Sequence, residues 1–320
     1  MNEQEIPVYL FYGFMDSGKT TLVKETLFQN GFANDLSSAL LIVCEDGDEE
    51  YDKDALDALH IHLEMIENKE DFTAQRLKEL DKEYQPQAVF IEYNGTWEVA
   101  PLYEMDDPKE WTIVQSLCTV DANTFEMYLL NMGAMMREQM FKADVIIFNR
   151  CTDATPKAKF RANVKSINRP AQIVYERADG TIDDRPDELP FDLSADEITV
   201  SDADYALWFM DCMEHPKKYD GKTVSFLGLV YNPKDGSGKV KAGTFVPGRF
   251  AMTCCVEDIQ FLGMKCKYKD ADSIAHKSWI HLTARIKNEF AKEYRGKGPV
   301  LYPISVAPAE KPQDELVYFN

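Results

Sequence analysis

Gly13-Phe-Met-Asp16-Ser17-Gly18-Lys19-Thr20-Thr21 sets two glycines, a lysine and a run of hydroxyl residues at the spacing of a loop that wraps phosphate. The glycines let backbone N–H groups come close to phosphate oxygens. A helix starting at the loop adds unpaired N–H groups and a partial positive charge. Lys19 is expected to reach the outer phosphates, and the Thr20 hydroxyl to hold a magnesium ion that bridges them. Before the loop, Val8-Tyr-Leu-Phe-Tyr12 is apolar and aromatic enough for a buried strand; after it, Thr21-Leu-Val-Lys-Glu-Thr-Leu-Phe28 has apolar residues at helical spacing. Strand, loop and helix in that order point to triphosphate binding rather than to a glycine-rich turn alone.

Such a loop needs a sheet to carry it. Up to about Glu176, buried-strand runs alternate with helical stretches, the pattern of a mostly parallel sheet covered on both faces. The strand candidates are Ala39–Val43, Ala88–Glu92, Ile113–Val120, Val145–Phe148 and Ala171–Tyr175. Thr73–Tyr84 and Phe125–Lys142 read as amphipathic helices. From Arg177 to about Pro190 the chain turns polar and proline-rich, which predicts one domain over residues 1–193 and a second over 194–320. Beyond a helix at Ala203–His215, the second domain reads as five short strands, Thr223–Tyr231, Lys239–Val246, Phe250–Val256, Lys277–Ile286 and Leu301–Val306. That spacing suggests a small barrel of the oligonucleotide/oligosaccharide-binding (OB) shape. The fold class is therefore α/β with a P-loop, followed by a smaller all-β barrel.

The chain has 320 residues, 45% of them hydrophobic, which is enough for two packed cores. Acidic residues outnumber basic ones by 55 to 35, a formal net charge of -20. That surface disfavours nucleic acid and anionic membrane and suits solubility, cations or basic partners. The local basic clusters, Lys265–Lys269 and Arg295–Lys297, do not change the balance. There is no apolar run of membrane-spanning length and the start is acidic, so a cytoplasmic protein without membrane insertion is expected. Seven scattered cysteines read as reduced thiols rather than a disulfide framework.

Five segments in order carry a resemblance: the loop from Gly13, Cys44-Glu45-Asp46-Gly47-Asp48, Ile91-Glu92-Tyr-Asn-Gly95, Thr119-Val-Asp-Ala122, and Ala143-Asp-Val-Ile-Ile-Phe-Asn149-Arg150. Over roughly residues 6 to 176 the chain resembles the CobW-type GTPases, P-loop proteins associated with metal delivery and metal-cofactor assembly, cobalamin synthesis included. The resemblance puts Glu45 and Gly47 in the first switch and Glu92 and Gly95 on the family's Glu-x-x-Gly motif. It implies Lys19, Glu45 and Glu92 as catalytic residues, with magnesium on Thr20, Glu45 and Glu92. A carboxylate ending a buried strand suits magnesium, and a following glycine N–H can sense the terminal phosphate.

Three departures qualify the resemblance. The family's Cys-x-Cys-Cys is absent, since no cysteine lies between Cys44 and Cys118; His60-Ile-His62-Leu-Glu64-Met-Ile-Glu67 stands there, either a set of harder ligands or a solvated face. The base-reading Asn-Lys-x-Asp becomes Asn149-Arg150-Cys151-Thr152-Asp153, with the aspartate one position late unless a bulge restores it. The C-terminal half, about Tyr219 to Tyr318, departs from most of the family. Its Arg249-Phe-Ala-Met-Thr-Cys254-Cys255-Val-Glu-Asp258 resembles a signature in the C-terminal domain of a bacterial permease-associated membrane-protein family. Cys254, Cys255 and Cys266 there are either a thiolate site for zinc or another transition metal, or buried structural cysteines.

The leading expectation is a GTP hydrolase, slow without a partner, that passes metal to a client protein. An ATP-dependent transferase or kinase on the same loop, and a nucleotide-regulated binding module without turnover, are the alternatives. Oligomeric state and the role of the second domain stay open.

Overall fold

The computed structural model describes residues 5–47, 49–105, 108, 110–233, 243–253 and 258–319. Its first sheet has seven strands: β1 (Ile6–Tyr12), β2 (Ala39–Val43), β3 (Ile61–Met65), β4 (Val89–Glu92), β5 (Trp111–Asp121), β6 (Val145–Cys151) and β7 (Gln172–Arg177), in the order β3-β2-β4-β1-β5-β6-β7. All the pairings are parallel. Every residue of β2 and β4 is buried, so both read as unbroken apolar runs, as strands covered on two faces must. Because β1 lies between β4 and β5, pairing Phe11 with both Glu92 and Leu117, the segments leaving those three strands emerge side by side. The loop leaving β1 therefore runs past the end of β4, where Glu92 stands.

The helices of this region are α1 (Lys19–Lys24), α2 (Lys53–Ala58), α3 (Ala74–Tyr84), α4 (Phe125–Asn131) and α5 (Gly133–Phe141). Thr73 caps α3, its hydroxyl accepting from the Arg76 N–H at 3.2 Å. The single helix expected over Phe125–Lys142 is two, broken at Met132, where the next residue is Gly133, a poor helix former. After Lys24 the helix widens into a π turn over Glu25–Gln29.

By contacts the chain forms two units, Met1–Thr155 with Ile167–Arg185, and Pro156–Ser166 with Pro186–Asn320. The second begins at 186 rather than at the expected 194 and takes in most of α6 (Lys157–Ile167). Its other elements are β8 (Glu197–Thr199), α7 (Tyr205–Glu214), β9 (Thr223–Tyr231), β10 (Thr244–Met252), β11 (Gln260–Gly263), β12 (Cys266–Lys267), β13 (Trp279–Ala291), β14 (Gly296–Pro308) and β15 (Leu316–Tyr318). Five strands close a ring, β9-β13-β14-β12-β10-β9, antiparallel except where β12 meets β14. That circuit is the OB barrel. The two strands expected at 239–246 and 250–256 become one, β10, which runs through Pro247 and Gly248. A Cβ at Gly248 would sit 2.4 Å from the Leu262 carbonyl oxygen, so the glycine permits the close approach of β11. Trp208, Tyr205 and Phe226 form the aromatic centre of this unit's core. Arg249 is fully buried, paired with Asp202, donating to the Asp314 carbonyl at 2.9 Å and lying over the Trp279 ring. Asp258 accepts from the Thr253 N–H at 2.8 Å.

Phe90 is fully buried in the core of the first unit. Phe90→Ala should cost about 3–5 kcal/mol, read from the chemical denaturation midpoint.

Candidate functional site

The loop after β1 takes a shape that side chains resist. Gly13 has φ 143° and Gly18 φ 93°. A Cβ at Gly13 would meet the Thr119 carbonyl oxygen at 2.2 Å, and one at Gly18 the Asn149 side chain at 2.6 Å. The third constraint comes from outside the loop. A Cβ at Gly95 would fall 2.6–2.9 Å from the backbone of Gly13, Phe14 and Met15. Asp16 turns left-handed and is exposed, while Ser17 is buried, its hydroxyl 2.7 Å from that of Thr119.

Lys19 is only 4% exposed. Its ammonium donates to the carbonyls of Gly13 (3.1 Å) and Phe14 (3.2 Å) and pairs with Glu45 at 2.8 Å. Three donors thus meet three acceptors. Glu45 also accepts from the Gly95 N–H at 3.2 Å, so one carboxylate joins the loop lysine to the glycine after β4. Beside it the Thr20 hydroxyl donates to Glu92 at 2.6 Å, and the Tyr51 hydroxyl donates to the other oxygen of the same carboxylate. Burial pushes Glu92 above the usual carboxylate range, against the hydrogen bonds from Thr20 and Tyr51 and the charge of Lys19. Lys19, Thr20, Glu45, Glu92 and Gly95 are therefore brought together. Thr21 lies outside the cluster, at the surface, 3.5 Å from Glu49.

At the other end of the loop, the Asn149 amide donates to the Ser17 carbonyl at 2.7 Å, and its buried Oδ1 has no partner. Arg150 takes a left-handed turn (φ 55°) and donates to the Asp16 carbonyl and to Asp121. The pairing of β6 with β7 slips here: Phe148 faces Tyr175 and Cys151 faces Arg177, so a bulge is present. It does not restore the base-reading aspartate. Asp153 is 78% exposed and paired with Arg177 at 2.7 Å and Arg185 at 2.8 Å; hydrogen bonding to Arg177, then the charge of Arg185, hold its carboxyl below the usual range. A cavity of about 340 Å³ opens beside Gly18, Thr21 and Asn149 and ends at Glu176–Gly180; Asp153 does not line it.

The alternative metal ligands do not assemble. Glu64 accepts from the Tyr84 hydroxyl and pairs with Arg76 at 2.9 Å, and His62 stacks on Tyr84. Cys254 and Cys255 lie outside the described residues. Cys266 is fully buried, and burial pushes its thiol well above the ordinary value, as for a structural cysteine. Among the described residues no three His, Cys, Asp or Glu side chains are placed to hold a metal ion. Lys265 pairs with Glu293, and Lys267 with Glu289. Among the described residues no helix is long and apolar enough to cross a membrane.

Two contributors to the site carry no sequence signal. Tyr51 holds Glu92 from the polar stretch between β2 and α2. Gln139, a buried polar residue of α5, accepts from the Gly13 N–H at 3.2 Å and donates to the Trp97 carbonyl at 3.1 Å. Neither sits at a telling spacing.

The nucleotide-binding domain model of the CobW/HypB/UreG family matches residues 7–175, and the DUF1980 C-terminal domain model matches residues 179–319. A curated relative, the UPF0703 protein YcgQ of Bacillus subtilis (strain 168), is 26% identical over 125 residues, 39% of this chain. The chain spans 42% of the length of that relative. Solved structures that resemble the chain include the hydrogenase maturation factor HypB from Archaeoglobus fulgidus, at 22% identity over 55% of this chain and 83% of that one, TM-score 0.38. The Zn(II)-bound YjiA GTPase from E. coli is similar at 17% identity over 78% and 86%, TM-score 0.42.

Because Glu92 is shifted upward, the folded chain keeps that proton to a higher pH than the unfolded chain does. Stability is then lost as pH rises from the ordinary carboxylate range through the raised value. Glu92→Gln should remove the cost. In metal-free buffer its melting temperature should exceed the parent's at pH 7, with the gap closing towards pH 4 in differential scanning calorimetry.

Proposed function

This chain belongs to the CobW/HypB/UreG nucleotide-binding domain family, and from that premise we propose that its first unit binds and hydrolyses a nucleoside triphosphate, GTP, in a cycle coupled to metal delivery or metal-cofactor assembly. The observation that carries the triphosphate reading is the convergence of the loop lysine, the Thr20 hydroxyl, the Glu92 carboxylate and the Gly95 N–H at the ends of β1 and β4. The glycines of the loop let its backbone pack against Thr119 and Asn149, where a Cβ would clash, and a backbone curved in this way suits phosphate oxygens. Magnesium fits Thr20 and Glu92, a hydroxyl and a buried carboxylate already in contact, and when bound it offsets charge on the phosphate oxygens.

Glu45 gives the site a resting state. Its carboxylate engages Lys19 and Gly95, the two donors this reading gives to the outer phosphate. A triphosphate must displace it, because the ammonium has no fourth N–H. Release of Glu45 then frees the segment that carries it, the kind of local electrostatic change on which switch loops run. The metal step of the proposal rests on family membership. Cobalamin synthesis is one process in that class, and a metal-receiving client protein is the partner it calls for. A cytoplasmic setting agrees with five buried free cysteines among the described residues.

Lys19→Ala should abolish binding, seen as loss of the melting-temperature rise that GTP with magnesium gives the parent. Glu45→Ala should bind GTP roughly tenfold tighter, as expected from removing a competing charged hydrogen bond, and should turn over more slowly. Retained binding by Lys19→Ala, or weaker binding by Glu45→Ala, would overturn the respective roles.

A further inference from the structure

Three carboxylates line the cavity beside the phosphate loop, Glu25, Glu176 and Asp179, and the last is engaged by the backbone N–H and hydroxyl of Thr181. Glu25 opens the π turn at the end of α1, a helix irregularity that is frequent at functional sites, and Glu176 stands on β7. Both line the cavity, and the carboxylate of neither has a hydrogen-bond or ion-pair partner among the described residues. The cations nearby are committed elsewhere, Arg150 to Asp121 and the Asp16 carbonyl, Arg177 to Asp153 and Asp183. Burial, and then the charge of Glu25, push Glu176 above the usual carboxylate range. A third acceptor on the same cavity, the buried Oδ1 of Asn149, is also unpartnered. The cavity thus presents unpartnered acceptors, while the two guanidiniums that line it, Arg150 and Arg177, are already engaged.

We propose that Glu176 reads the base of the bound nucleotide in place of Asp153, and that the base is guanine. The inference rests on the triphosphate reading above and adds the residue that selects the base. Guanine turns two adjacent donors, N1–H and the 2-amino group, towards whatever reads its pairing edge, and the two oxygens of one carboxylate can accept both. Adenine offers one amino group beside a ring nitrogen that is itself an acceptor, and a carboxylate repels that nitrogen. A cavity of about 340 Å³ lies within the range of small-ligand sites. It runs from Gly18 and Thr21, where the phosphates are placed, to the end of β7, so a nucleoside extending from the loop ends at Glu176. The Arg177 and Arg185 side chains hold Asp153 at the surface and so exclude it from this role.

The test is a competition measurement on the full chain with magnesium, using GTP, ATP and xanthosine triphosphate. Xanthine carries a carbonyl where guanine has the 2-amino group, and an amide at position 176 would accept from N1–H and donate to that carbonyl. The parent should prefer GTP. Glu176→Gln should lose roughly ten- to a hundred-fold in GTP affinity, in line with one bidentate base contact, and should prefer xanthosine triphosphate. Glu176→Ala should lose the preference for GTP without gaining one for xanthine, while Asp153→Asn, which keeps a hydrogen bond to Arg177, should leave the parent's order unchanged. An exchange of guanine for xanthine in Asp153→Asn, or an unchanged order in Glu176→Gln, would overturn the assignment. Equal binding of GTP and ATP by the parent would overturn the guanine reading while leaving the phosphate site intact; no binding of any triphosphate would instead overturn the function proposed above.

Discussion

Lys19 carries a full charge in a place almost closed to water, and an ammonium held that dry is tolerated only where each N–H finds an acceptor. Two of its acceptors are carbonyls of the loop itself, so the lysine can be buried only if Gly13 and Phe14 turn their oxygens inwards. That turn needs the positive φ of Gly13, and it leaves room for no side chain at Gly95. The third acceptor, Glu45, arrives from the segment after β2. One buried charge thus sets the curvature of the loop, the need for glycine at position 95 and the position of the Glu45 carboxylate. β1 holds these in register because it is paired on both sides by parallel strands whose ends define the same edge.

Much of the first unit could be read from the chain because its parallel strands are buried on both faces. Apolar runs such as Ala39–Val43 then show their limits directly, and the observed β2 has those limits. The phosphate loop was legible for a related reason: glycine, lysine and threonine at fixed offsets have few other uses. The base end was less so. Asp153 has the right residue type one place late, and its fate depends on Arg177 and Arg185, which lie more than twenty residues away in sequence and approach only once β7 is paired with β6. Gln139 and Tyr51 were invisible because one glutamine on a helix and one tyrosine in an acidic stretch have many ordinary explanations.

The second unit shows the same division. The long strands β9, β13 and β14 were apparent from alternating apolar residues, whereas β12, with two residues, and β8, with three, are too short to give a period. Pro247 and Gly248, which fall between the two expected strands, are residues that usually end strands; in this closed barrel they lie where one strand is shared between two neighbours. Arg249 of that signature has a structural role, as its guanidinium is buried against Asp202, a backbone carbonyl and Trp279.

The contact division that places Pro156–Ser166 with the later residues has a topological result. The polypeptide passes from one unit to the other three times, so no single cut yields two complete pieces. A fragment ending near residue 185 keeps β7 and the cavity wall at Glu176, but it also keeps α6, whose Ala158 and Ala162 belong to the hydrophobic cluster of the second unit. A fragment starting there lacks that helix. The two units are interleaved in sequence: a ribosome can complete the first when it reaches Arg185, having made only Pro156–Ser166 of the second, whose core waits for the rest of the chain.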